Sequence, residues 1–123
     1  MIVGLGLDVV EVRRIEGLIA GHLGDRFLAR VFTDAERAYC DDHPAARGLH
    51  YAGRFAAKEA LVKALKAPPG LTWQEIEVVS DGPPSFRTRG RCASVLQERR
   101  ILGLHLSLSH DGGMAVAAVI LEK

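Results

Sequence analysis

Residues Phe55 to Lys63 constrain this chain more than any other stretch, because they set one acid and two lysines on a short segment with helical apolar spacing. Ala57, Ala60, Leu61, Ala64 and Leu65 fall at i, i+3, i+4, i+7 and i+8, which predicts a helix burying that stripe. Glu59 and Lys63, at i and i+4, then stand together on a different face. An exposed pair of this kind is worth only about 0.2–0.5 kcal/mol, so alone it argues for helix stability as readily as for chemistry.

The N-terminus adds a second constraint. Ile2-Val-Gly4-Leu-Gly6-Leu-Asp8 is a β-branched, glycine-broken apolar run, the pattern of a buried strand that a backbone or a ligand can approach closely. Asp8 falls where this strand is expected to end. There it is either the N-cap of the next helix or a ligand for something beyond the strand. Two carboxylates, Asp8 and Glu59, converging from a strand end and a helix would suit a hard divalent cation such as magnesium. That ion takes one or two protein carboxylates and completes its shell with water and phosphate oxygens.

The remaining pattern predicts an α+β fold with a mainly antiparallel sheet and one long helix. Strands are expected at about 2–7, 75–79, 85–89, 104–109 and 114–121, and helices at about 10–20, 25–30, 33–42, 46–66 and 91–100. Thr33-Asp-Ala-Glu36 has the form of a capping box. His43-Pro44 breaks the helix after it, and Pro68-Pro-Gly70 ends the long one. Leu104, Leu106 and Leu108 alternate with His105, Ser107 and Ser109, and Asp111-Gly112-Gly113 reads as a hairpin loop. Cys40-Asp-Asp-His43 lacks a second Cys/His pair and reads as a polar helix end.

At 123 residues and 48% hydrophobic content, the whole chain, 1–123, is expected to be one domain. A net charge of +1 makes no electrostatic case for nucleic acid or a membrane surface, and the longest apolar stretch, Met114 to Leu121, is too short to span a bilayer. Two cysteines with no CxxC, and no signal-peptide pattern after Met1, lead to the expectation of a cytoplasmic protein.

Three segments carry a resemblance: Gly4-Leu-Gly6-Leu-Asp8, Gly53-Arg54-Phe55-Ala-Ala-Lys58-Glu59-Ala60 with Lys63, and Ser107-Leu-Ser109-His110. In this order the chain resembles the 4′-phosphopantetheinyl transferases, and among them the short holo-acyl-carrier-protein synthases. The resemblance implies transfer of the 4′-phosphopantetheine arm of coenzyme A to a serine of an acyl carrier protein, releasing adenosine 3′,5′-bisphosphate. A fatty-acid carrier is the first expectation. A polyketide-type carrier, or a non-catalytic module binding coenzyme A or metal, are the alternatives.

It also implies roles. Asp8 and Glu59 would hold magnesium and, with Lys63, form the catalytic group. Arg54, Lys63, Gly82, Pro84, Ser109 and His110 would meet coenzyme A, and Arg14, Arg26 and Arg30 would face the acidic carrier. A solvated arginine at 54 and a turn-forming histidine at 110 are the alternatives. Lys58 either helps bind the nucleotide or holds a carboxylate in place. Pro83 departs from the family pattern, in which the residue between Gly82 and Pro84 is often basic. The serine proton could pass to Glu59, to a water made more acidic by the cation, or to another carboxylate. Short members of the family form trimers with sites between subunits, so a homotrimer is expected.

Overall fold

The computed structural model describes all residues from Met1 to Lys123. Five strands run Ile2–Glu11 (β1), Ile76–Val79 (β2), Ser85–Thr88 (β3), Gly103–Asp111 (β4) and Met114–Glu122 (β5). Five helices run Val12–Ala20 (α1), Gly24–Val31 (α2), Asp34–Asp41 (α3), Arg47–Ala64 (α4) and Gly90–Glu98 (α5). The strands form two antiparallel sheets, β1-β5-β4 and β2-β3, rather than one.

β1 continues four residues past the expected end, because β5 is long enough to pair with it from Ile2↔Glu122 to Glu11↔Met114. Asp8 therefore sits inside the ladder opposite Ala117, and the capping alternative is excluded: Glu11 occupies the N-cap position of α1. Gly112 and Gly113, at φ +56° and +80°, form the two-residue connection between β4 and β5. Positive φ at both central residues suits a primed turn, so Asp111 belongs to the strand and not to the loop.

Helix α4 has 18 residues against eight or nine in each of the others. It starts later than expected, after a 3₁₀ turn at Pro44–Ala46, and stops before the prolines. Lys66 and Ala67, at φ +59° and +48°, turn the chain out of the helix, and Ala67 N–H donates to Val62 O. The predicted stripe is buried: Ala57, Ala60, Leu61 and Leu65 are inaccessible and Ala64 nearly so.

That stripe packs on the inner face of the three-stranded sheet, where Gly4, Gly6, Asp8 and Val10 lie beside Leu121, Val119, Ala117 and Ala115 of β5. A Cβ at Gly6 would come within 1.8 Å of Ala60 O, and one at Gly4 within 2.7 Å of Ala64 O. The glycine-broken run is thus shaped to admit the backbone of α4. The outer face of the same sheet is apolar and open, with Leu5, Leu7 and Val9 57–69% exposed. No helix is long and apolar enough to cross a membrane.

Candidate active site

The close approach of α4 to β1 brings three charged side chains together. Lys63 Nζ donates to Asp8 Oδ1 at 2.8 Å and to Leu7 O at 3.0 Å. Its partner is therefore Asp8, and the local i, i+4 pairing with Glu59 is not formed. Lys63 extends across the sheet instead, because Asp8 shares the inner face with Gly6, where the helix comes nearest.

Glu59 is half-buried and has neither a hydrogen bond nor an ion pair of its own. Val62, Leu71, Trp73 and Ile76 border a cavity of ≈ 240 Å³ beside it. Partial desolvation, followed by the negative charge of Asp8, raises its carboxyl above the ordinary range, with Lys63 and Arg14 opposing. Two mutually repelling carboxylates, one of them unpartnered, are a donor set that a hard divalent cation relieves. No group of three or more His, Cys, Asp or Glu side chains is arranged to hold a metal ion, so an ion here would rest on these two acids and on substrate oxygens.

A second group lies at the other end of α4. His50, Gly53 and Arg54 face Leu108, Ser109 and His110 of β4 across a cleft of ≈ 150 Å³. Arg54 is only 3% exposed, so it is not the solvated arginine of the alternative reading. Its Nη2 donates to Ser80 Oγ at 2.8 Å and its guanidinium lies over the Tyr39 ring at 4.2 Å. Its Nε finds no acceptor, and no carboxylate pairs with the group. A buried cation without a paired carboxylate is costly and favours an anion nearby. Arg54 borders this cleft and a second one of ≈ 170 Å³, which Tyr39, Ser80, Glu77 and Asp81 also line.

Lys58 is resolved as a holder of a carboxylate. It is fully buried, bridging to Glu36 Oε1 at 2.5 Å and donating to Val31 O at 2.6 Å. Burial holds its ammonium below the ordinary value despite Glu36. Glu36 is also the capping-box acid, accepting from Thr33 N–H at 2.9 Å and from Val78 N–H at 2.8 Å. One side chain therefore ties α3, α4 and β2 together.

Other expected residues are placed less directly. Gly82, at φ +111°, and Pro84 form the β2–β3 turn, and neither lines the cleft of Arg54. Arg14 on α1 is exposed and close enough to act on Glu59, whereas Arg26 and Arg30 are exposed on α2. Sequence reasoning missed Tyr39, His50 and Ser80. The only available signal for His50 was its position one turn before Arg54 on the same predicted helix.

Known proteins are similar to this chain along nearly its whole length. A holo-[acyl-carrier-protein] synthase of Anaeromyxobacter dehalogenans (strain 2CP-C) is 54% identical, over 99% of this chain and 97% of its own. The crystal structure of the holo-[acyl-carrier-protein] synthase from Neisseria meningitidis superimposes with a TM-score of 0.87 at 30% identity, covering 100% of both chains. A Chronobacterium ammoniagenes synthase in complex with coenzyme A gives 0.83 at 32% identity, covering 97% of this chain and 96% of that one. Residues 4–119 match the 4′-phosphopantetheinyl transferase superfamily, and the chain belongs to that family.

Proposed function

We propose that this protein is a holo-[acyl-carrier-protein] synthase, one transferase domain that moves 4′-phosphopantetheine from coenzyme A to a serine of an apo-acyl carrier protein of fatty-acid synthesis. The observation that carries the reading is the meeting of Asp8, Glu59 and Lys63 across β1 and α4. Support comes from the synthases it resembles along nearly its full length.

The reaction breaks the P–O bond between the pantetheine-bearing phosphorus and the adenosine phosphate, and forms a new bond from that phosphorus to the serine oxygen. Asp8 and Glu59 are the residues that would hold magnesium, which when bound would serve as a Lewis acid for the diphosphate. In this reading Lys63, anchored on Asp8, supplies positive charge to the leaving bisphosphate. The serine proton leaves toward the acidic pair, of which Glu59 is the member without a protein partner. Arg54, Ser109 and His110 bind the nucleotide portion, with Gly82 and Pro84 shaping the neighbouring turn. Arg14, Arg26 and Arg30 offer basic contacts to an acidic carrier helix.

The working unit of this reading is a cytoplasmic homotrimer, and the helix supplies the reason. Glu59 and His50 are nine residues apart, which rotates them about 180° around α4. The acidic cluster and the Arg54 cleft therefore face away from each other, and one coenzyme A molecule needs the cleft of a second chain. Contacts between two different surfaces close into rings, of which three subunits is the smallest. The open apolar face of β1 is the surface a neighbour would cover.

Mass spectrometry of an apo-carrier incubated with coenzyme A and magnesium tests the activity. The parent should add a phosphopantetheine mass, and folded Asp8→Ala and Glu59→Ala should each slow the addition about 100-fold or more. Near-parental transfer by Glu59→Ala would remove its metal role. Mixing Glu59→Ala with Arg54→Ala chains, each inactive, should restore about a quarter of the sites if they are shared between subunits. No recovery on mixing, or a monomer that retains full activity on dilution, would overturn the shared site.

A further inference from the structure

His50 stands on α4 one turn before Arg54 and looks into the same cleft as Ser109 and His110. The charged groups that act on it are all basic. Arg54 acts on it from its own helix, His43 from the end of α3, and His110 from β4. His43, just past α3, lies 5.1 Å away between ring centroids, and Tyr39 of α3 meets it edge-on at 5.2 Å. Arg47, three residues earlier on α4, is occupied by Asp41 at 2.8 Å. None of Arg54, His43, His50 and His110 forms an ion pair with a carboxylate, and Arg54 is buried without a paired counter-ion.

A cleft lined by Arg54 and two imidazoles, His50 and His110, with no acid in its lining and His43 beside His50, is unfavourable empty and favourable around a phosphate. In the free protein, partial burial first, and then Arg54, His43 and His110, hold the His50 imidazole below its ordinary value. The neutral ring is therefore favoured in the free protein. A bound phosphate reverses the local field and draws a proton onto the ring. We infer that His50 supplies a proton-dependent contact to a phosphate of the nucleotide donor, in the cleft it shares with Arg54, Ser109 and His110. The inference rests on the transferase reading and adds a residue and a pH dependence to it. The sign follows from the charge: affinity for the donor is gained as pH falls and lost as it rises, because only the protonated ring donates a charge-assisted hydrogen bond.

The test is calorimetric titration of the full protein with adenosine 3′,5′-bisphosphate and with adenosine 5′-monophosphate, from about pH 5.5 to about pH 8. Phosphate monoesters titrate near pH 6 themselves, so the readout is the difference between the parent and His50→Gln, which removes the ligand's own contribution. The parent should lose about tenfold more affinity across this range than the variant. A difference seen with both nucleotides places the contact at the 5′ phosphate, and one confined to the bisphosphate places it at the 3′ phosphate. Equal pH dependence in parent and variant overturns the inference. Should His50→Gln fail to fold, NMR titration of the parent imidazoles decides: the bisphosphate must raise the pKa of His50, and an unmoved His50 refutes the contact. A parent that binds neither nucleotide and adds no mass to an apo-carrier would sink the transferase reading as well. Intact transfer with an unmoved His50 would sink this inference alone.

Discussion

Two glycines on the two sides of the site make a matched experiment. In Gly6→Ala the new Cβ would lie 1.8 Å from Ala60 O and 2.8 Å from Ala60 C and Ala64 N. These are peptide atoms of a buried helix, not a side chain that can swing away. Reaching the 3.4 Å at which ordinary contact begins requires strand and helix to part by about 1.6 Å. Overpacking costs about 1–3 kcal/mol, and an unyielding backbone neighbour puts this site at the top of that range. For a domain of this size that is a fall in Tm on the order of 10 °C. The same displacement stretches the 2.8 Å Lys63–Asp8 contact beyond hydrogen-bond range and moves Glu59 away from Asp8. A shift of about 1 Å in reacting groups costs about 100-fold in rate. Gly53→Ala differs in kind, because its Cβ meets nothing within 4 Å. Its stability should hold or rise, by up to about 1 kcal/mol of helix propensity, with Tm moving the same way. Its methyl enters the cleft of His50 and Arg54, so KM for coenzyme A should rise about tenfold with kcat little changed. Calorimetry at fixed protomer concentration and steady-state transfer assays read both variants. A Gly6→Ala protein that melts with the parent and transfers at its rate would refute the claim that this close approach assembles the site.

Lys58→Met strands the Glu36 carboxylate in the core and should cost about 3–5 kcal/mol in urea unfolding, while Glu36→Gln added to it should recover part of the loss. A double variant that simply sums the two single losses would show that the pair is not coupled. His50 governs a pH effect on stability: its folded pKa is depressed by burial and its basic neighbours. That contribution is complete above the unfolded value of about 6.5 and is lost as pH falls through the lower folded value, because the unfolded chain takes up the proton first. His50→Gln should flatten this acid-side decline in urea midpoints, and an unchanged decline would assign it to other groups.

The buried Glu36 shows how a local signal and a tertiary one overlap in a single residue. Its capping-box role spans three residues and was visible as Thr33-Asp-Ala-Glu36. Its second role, counter-ion to Lys58 and acceptor for Val78 N–H, needs α4 and β2 to arrive from elsewhere in the chain. The ambiguity of Lys58 in the motif had the same origin: nothing within a turn of it says which carboxylate it meets.

Sequence alone determined whatever depends on neighbours a few residues apart: the apolar stripe of α4, the capping box, the glycine pair of the β4–β5 turn, and the three motif segments that mark the family. Periodicity and backbone preference act over one or two turns, so the residues that cause them stand side by side in the chain. Tertiary structure decided the partners. Lys63 chose Asp8, 55 residues away, over Glu59 one turn away, and Arg54 chose Ser80, 26 residues on. It also set the length of β1, through β5, and placed His50 opposite His110. The reach of a side chain is a few ångströms, and only the packing of remote elements determines which groups fall within it.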